Sequence, residues 1–249
     1  MIISPILPRV HVAAGTCAFR RVAPWASLLS AGAGAEQSLY SRHVADNPFP
    51  QLEPGLQARL AEVFDVEGKL RSALQALGRI EGSDVVVVGG EGRCAASLRE
   101  LGGRVTTCPT SAIRSLPAGS ADAAVSCWDG LDVQGATTER RIGALARTLR
   151  SGGRLLIVAD YGRDDVDRLR TVADPAAHYA ALRRRDGWFA AQGFKIRVIH
   201  GRWTFDTVED AGFFLEEAFG EAGRQLAAEL RHPRVSHKIV VYHRTLGGG

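Results

Sequence analysis

DVVVVGGEG, residues 84–92, is four valines running into a glycine-rich turn, and RCAASLREL at 93–101 follows as a short Ala-containing helix. A strand that is apolar along its whole length is buried on both faces, which is the habit of a parallel sheet covered on both sides by helices. A glycine turn between such a strand and a helix gathers backbone N–H groups at the helix N-terminus, where doubly wound folds hold nucleotide-like ligands. Gly89, Gly90 and Gly92 are therefore the first candidates for contact with a cofactor.

The pattern repeats on both sides of that strand. Upstream, Leu56, Leu60, Val63 and Phe64 share a helical face that Leu70, Leu74 and Leu77 continue, with a break expected at Gly68 and a stop at Gly78 and Gly82. Downstream, 104–108 (RVTTC) and 121–128 (ADAAVSCW) read as strands, and 138–149 as a helix with Ile142, Leu145, Ala146 and Leu149 on one side. Gly152-Gly153 then starts the strand RLLIVAD at 154–160. Residues 175–191 read as a helix, FKIRVIHGRWTF as a strand, 207–230 as one helix or two split near Gly220 and Gly223, and 237–246 as a closing strand. This predicts an α/β, doubly wound, mostly parallel sheet with helices on both faces and one antiparallel strand at its edge.

Length and composition agree. The 249 residues suit one large α/β domain with an extension, and 45% hydrophobic with 23% charged residues is ordinary for a globular chain. With 31 Lys+Arg against 27 Asp+Glu, the net charge of +4 is a mild bias that gives no nucleic-acid signature. No stretch is apolar for long enough to span a bilayer. Cys17, Cys94, Cys108 and Cys127 form no C-x-x-C and have no histidine at metal-ligand spacing, so metal catalysis has no support. They read as reduced thiols of a cytoplasmic protein.

Residues 1–50 read as a disordered or loosely docked extension ahead of a domain at 51–246. Within 1–35 the charges are Arg9, Arg20 and Arg21, and the first acid is Glu36. A transit peptide, a twin-arginine signal built on Arg20-Arg21, and a misplaced start are the competing readings.

The segment LPAGSADAAVSCWDGL at 116–131 and the segment LRSGGRLLIVADYG at 149–162 resemble two successive elements of the class I S-adenosylmethionine-dependent methyltransferases: a Leu-Pro turn with an Asp leading into the fourth strand, then a helix end, a Gly-Gly turn and the fifth strand. The late strands fit an antiparallel seventh strand inserted beside the fifth and sixth, and the resemblance covers roughly 56–246. It implies a methyltransferase fold, S-adenosylmethionine as cofactor, an unknown methyl acceptor, and a crevice lined by Gly89, Gly90, Gly92, Cys108, Ser111 and Trp128. Asp129, Asp160 and Tyr161 end the fourth and fifth strands and are the substrate-side candidates. Methyl transfer is driven mainly by positioning, so no catalytic residue is assigned.

This chain departs from the family at the places that hold the cofactor. The strand before the glycine turn lacks the usual nearby acid. The end of the second strand, where a carboxylate normally accepts both ribose hydroxyls, reads Thr107-Cys108-Pro109-Thr110, and Ser111 stands where another acid is usual. The interval between the second strand and 121–128 is too short for the helix–strand unit that family members place there. These losses favour a rival reading, a non-catalytic binding or assembly protein on the same fold. A third reading, an NADP-dependent oxidoreductase, rests on Gly90-Glu91-Gly92-Arg93-Cys94-Ala95 matching G-x-G-x-x-A, with Thr110, Ser111 and Arg114 toward a 2′-phosphate. Glu91 in the turn would repel a phosphate, which favours the phosphate-free cofactor.

The remaining charged features have plainer readings. Arg163, Asp164 and Asp165 suit a solvated turn and helix cap. Arg183-Arg184-Arg185 suits a solvated helix face; with Arg197, Arg202, Trp188 and Trp203 it is the one candidate nucleic-acid patch. His200, His232, His237 and His243 read as strand and loop residues.

Overall fold

A computed structural model describes residues 48–49, 51–89, 92–128, 131–170 and 174–246. The expectations for 1–35, Cys17, Gly90, Glu91 and Asp129 fall outside the described residues.

Two helices, α1 (Pro54–Val63) and α2 (Lys69–Gly78), lead into strand β1 (Asp84–Val88). Gly68 takes a left-handed conformation (φ 65°) between them, as the sequence break predicts. Then follow α3 (Arg93–Glu100), β2 (Arg104–Cys108), a 3-10 turn (Thr110–Ser115), β3 (Ala121–Cys127), α4 (Ala136–Thr148), β4 (Leu149–Asp160), a short α5 (Asp165–Arg168), α6 (Pro175–Ala191), β5 (Lys195–Thr204), α7 (Val208–Glu229) and β6 (Arg234–Thr245).

The six strands form one sheet in the order β2-β1-β3-β4-β6-β5. β1 pairs in parallel with β2 and β3, and β3 with β4; β6 runs antiparallel to both β4 and β5. The single 3-10 turn between β2 and β3 is the physical form of the missing helix–strand unit, and it leaves β2 as the sheet edge.

The valine run divides between the two faces, because side chains alternate along a strand. Val85 and Val87 pack with Leu70, Leu74 and Leu98 in one layer; Val86 and Val88 pack with Ile113, Ile142 and Leu145 in the other. Both layers are apolar, which suits the valines of β1 on either face.

Two boundaries differ from the sequence reading. β4 begins at Leu149, directly after α4, because Leu149 already pairs with Ala121; the register then shifts, and regular pairing resumes at Arg154 with Ala123. The Gly152-Gly153 segment is held within that irregular strand start by bonds between Gly152 N–H and the Leu246 carbonyl (3.0 Å) and between Leu246 N–H and the Gly153 carbonyl (2.8 Å). Phe49, expected in the extension, is 2% exposed and packs edge-on against Trp203 at a centroid distance of 5.9 Å.

Trp203 itself is fully buried among Phe49, Phe214 and Phe219, so it cannot contribute to a surface patch for nucleic acid. Arg185 also leaves the solvated face assigned to it. Its guanidinium turns inward and donates to the main-chain carbonyl of Asp160 at 2.7 Å, while Arg183 and Arg184 remain exposed.

Candidate functional site

Chain order reverses at β1, whose neighbours β2 and β3 are reached by crossovers in opposite directions. The carboxyl ends of β1 and β3 therefore flank the switch point where open α/β sheets bind ligands. Gly89 leaves β1 there, followed by Gly92, which caps α3; Trp128 leaves β3, and Asp160 and Tyr161 leave β4 beside them. Gly89 has φ 128°, a conformation that a side chain would strain, and its N–H donates to the Cys108 carbonyl at 2.8 Å. That bond draws the end of β2 against the glycine turn.

The second deciding observation is β6. It lies antiparallel between β4 and β5, on the far side of the sheet from the glycine turn. The fold is that of the class I methyltransferases. Among the described residues no strand lies outside β2, which forms the sheet edge on that side.

The sequence-selected residues fare differently. Cys108 does not face the crevice. It is 3% exposed, belongs to the core layer of Ile113 and Ile142, and sets its thiol 3.4 Å from the Pro109 carbonyl; burial pushes that thiol up from its ordinary range. Ser111 sits exposed in the 3-10 turn, and Thr110 is half-buried beside it. Tyr161 is half-buried against the same layer as Cys108, with its N–H donating to the Lys238 carbonyl at 2.9 Å.

Trp128 and Asp160 do come together. Trp128 adopts φ 55°, rare for a bulky residue, and its indole N–H donates to Asp160 Oδ1 at 3.1 Å while the ring meets Phe64 edge-on. Strain of this kind is stored where surrounding contacts fix it. Asp160 Oδ1 also receives His237 Nε2 at 2.7 Å, and Arg170 pairs with Oδ2. Trp203 donates its indole N–H to His237 Nδ1 at 3.2 Å. Since an indole only donates, Nδ1 is the acceptor, and the imidazole proton sits on Nε2, directed at Asp160. Burial alone would raise the Asp160 carboxyl, but His237 and Arg170 outweigh it and hold it down at about 2. The carboxylate is thus spent on the protein's own donors, which makes Asp160 a positioning residue.

Three participants escaped the sequence reading. His237 is 1% exposed and central to the network. Arg170 closes it and lays its guanidinium 4.8 Å from the Phe49 ring centroid. Asp132, just past β3, has its carboxyl raised, first by burial and also by the Asp160 charge, against the lowering influence of Arg185 and Arg170. Burial raises the neighbouring Asp164 carboxyl in the same way. Asp164 caps α5 by accepting from the Asp167 N–H at 2.9 Å, as the turn reading predicts.

No family model and no curated protein matches the chain. Among solved structures, it is similar to the YcgJ protein of Bacillus subtilis (13% identical, over 74% of this chain and 100% of that one, TM-score 0.43). It is also similar to a geranyl diphosphate methyltransferase in complex with GPP and sinefungin (15%, 81% and 86%, TM-score 0.39), and to phosphoethanolamine N-methyltransferase 2 of Haemonchus contortus (15%, 74% and 54%, TM-score 0.39). The sheet order, and not these distant likenesses, carries the fold assignment. Among the described residues no helix is long and apolar enough to cross a membrane, and no group of three or more His, Cys, Asp or Glu is placed to hold a metal ion.

Proposed function

We propose that this chain is a methyltransferase that takes its methyl group from S-adenosylmethionine and passes it to a still unidentified acceptor, with a weakened hold on the cofactor's ribose. The observation that supports this most is the convergence of the Gly89 turn and Trp128 on the switch point of a methyltransferase sheet. The fit of the residues to the cofactor is one-sided. Gly89 offers the close backbone approach that a nucleoside needs, and Trp128 offers an aromatic wall. The β2 side offers only Thr110 and Ser111 hydroxyls, because Cys108 is turned into the core.

A lost charge-assisted bond contributes on the order of 1.5–3 kcal/mol, so affinity is lower by roughly tenfold or more. The cofactor, when bound, supplies an electrophilic methyl group on a sulfonium. The chain's own part is to hold the partners in line and to shed water. The reduced, buried thiols Cys94, Cys108 and Cys127 accord with a cytoplasmic location.

Calorimetric titration with S-adenosylmethionine, S-adenosylhomocysteine and NADPH tests the reading. Micromolar to submillimolar binding of the first two supports it. Binding of NADPH alone would replace it with an oxidoreductase. Silence at millimolar ligand would favour a non-catalytic binding or assembly protein, a reading that the missing β2 carboxylate already favours.

Two variants sharpen the test. Gly89→Val forces a β-branched side chain into φ 128° at the turn; cofactor binding should vanish while circular dichroism stays native. Undiminished binding would remove the turn from the site. Thr110→Asp places a carboxylate at the end of β2, and affinity should rise by about tenfold, the worth of one charged bond. An unchanged or lower affinity would mean that the ribose does not lie there.

A further inference from the structure

Beneath the glycine turn, two thiols from different elements touch. Cys94 lies in the first turn of α3, two residues after Gly92, and Cys127 is the last residue of β3, immediately before Trp128. Their sulfurs are 3.0 Å apart although the residues are 33 apart in sequence. Both are buried, at 0% and 1% exposure, in the layer formed with Leu70, Leu74 and Leu98. Cys108 lies in the opposite layer, against Pro109.

We infer that Cys94 and Cys127 form a peroxide-oxidisable dithiol, a modification site that pins the helix after the glycine turn to the strand carrying Trp128. The pair is reduced in this structure. Closing it to the roughly 2 Å of a disulfide takes about one ångström of movement. At 0% and 1% exposure the pair is closed to bulky oxidants, so hydrogen peroxide is the probe of choice.

The reaction balances as follows. One sulfur attacks a peroxide oxygen, the O–O bond breaks, and the products are a sulfenic acid and one water. The second sulfur then attacks the sulfenic sulfur, its proton leaves with the hydroxyl as a second water, and the S–S bond forms. Two thiols are oxidised and one peroxide is reduced. The inference does not depend on the identity of the ligand in the crevice.

The test treats the full-length chain with hydrogen peroxide and then counts thiols after denaturation. The count should fall from four to two. The intact mass should drop by two hydrogens, the peptide map should link Cys94 to Cys127, and dithiothreitol should restore all of it. A Cys17→Ser/Cys108→Ala variant should behave identically, its count falling from two to zero, and Cys127→Ser should gain oxygen in place of losing hydrogen. Four surviving thiols, a link to Cys17 or Cys108, or oxygen added to Cys94 in the intact pair would overturn the assignment.

Discussion

Replacing Asp160 by Ala should lower the stability of the protein by about 3–5 kcal/mol, the cost of removing one partner from a buried charge pair. The loss is large because three donors converge on this carboxylate: the Trp128 indole, His237 Nε2 and the Arg170 guanidinium. Without it, Arg170 is a half-buried cation with Asp167 Oδ1 4.0 Å away as its remaining acid. The Trp128 indole then has no reason to hold its strained backbone. Urea denaturation reads the effect directly, and a change below 1 kcal/mol would mean that water replaces the carboxylate without penalty.

The sign of the pH dependence follows from the same site. The Asp160 carboxyl is held at about 2 in the folded chain, below its ordinary value of 3.8. Its contribution is therefore fully present above 3.8 and is lost as the pH falls from there toward about 2; the shift corresponds to about 2 kcal/mol. The stability gap between the parent and Asp160→Asn should narrow over that window. Parallel stability curves from pH 5 downward would show that the pairing does not shift this group.

Gly223→Ala should be nearly as damaging. At Gly220, α7 departs from helical geometry (φ 57°, ψ −127°), and its second half folds against the first. A methyl group on Gly223 would fall inside the contact radius of the Leu215 carbonyl carbon and oxygen, backbone atoms with no rotamer to escape into. Overpacking of this kind costs about 3 kcal/mol or more when the backbone must yield. The damage reaches the site as well, since Phe214 and Phe219 of α7 pack on Trp203, and Trp203 holds the His237 tautomer. Gly212→Ala is the control. Its new methyl meets only the Ala227 Cβ at 3.7 Å, so it should be neutral or gain up to about 1 kcal/mol of helix propensity. Equal melting temperatures for the two variants would mean that α7 is not constrained at its kink.

The parallel core was legible because the physics that sets it is local. The unbroken valines of β1 state double burial without reference to any other residue. The short interval before Ala121 likewise foretold the missing unit. The site was less legible because it is made by pairing. Asp160 was visible as the end of a strand, and His237 as the start of another, yet their contact depends on β6 running antiparallel beside β4 so that Asp160 lies opposite Ile239. That antiparallel placement was anticipated, and following its register two residues along would have brought His237 to Asp160. Arg170 and Asp132 left no such trail. Each lies in a connection whose path is fixed by tertiary packing, and no period or cap announces it. Cys108 failed in a different way. Its position at a strand end matched the family's acid, but an apolar-tolerant side chain there follows the core layer in place of the ligand.

That β2 has no strand outside it among the described residues has a mechanical meaning. β1, β3, β4 and β6 are each bonded on two flanks, whereas β2 is held by β1 alone. The crevice therefore has one wall anchored in the middle of the sheet, at Trp128 and Asp160, and one wall on a strand whose opening frees a single ladder of bonds. A ligand seated here would be gripped firmly on the β3–β4 side and meet a compliant surface on the β2 side, which is also the side without its carboxylate. Under the proposed function, weak ribose chemistry and a yielding wall would fall on the same half of the site.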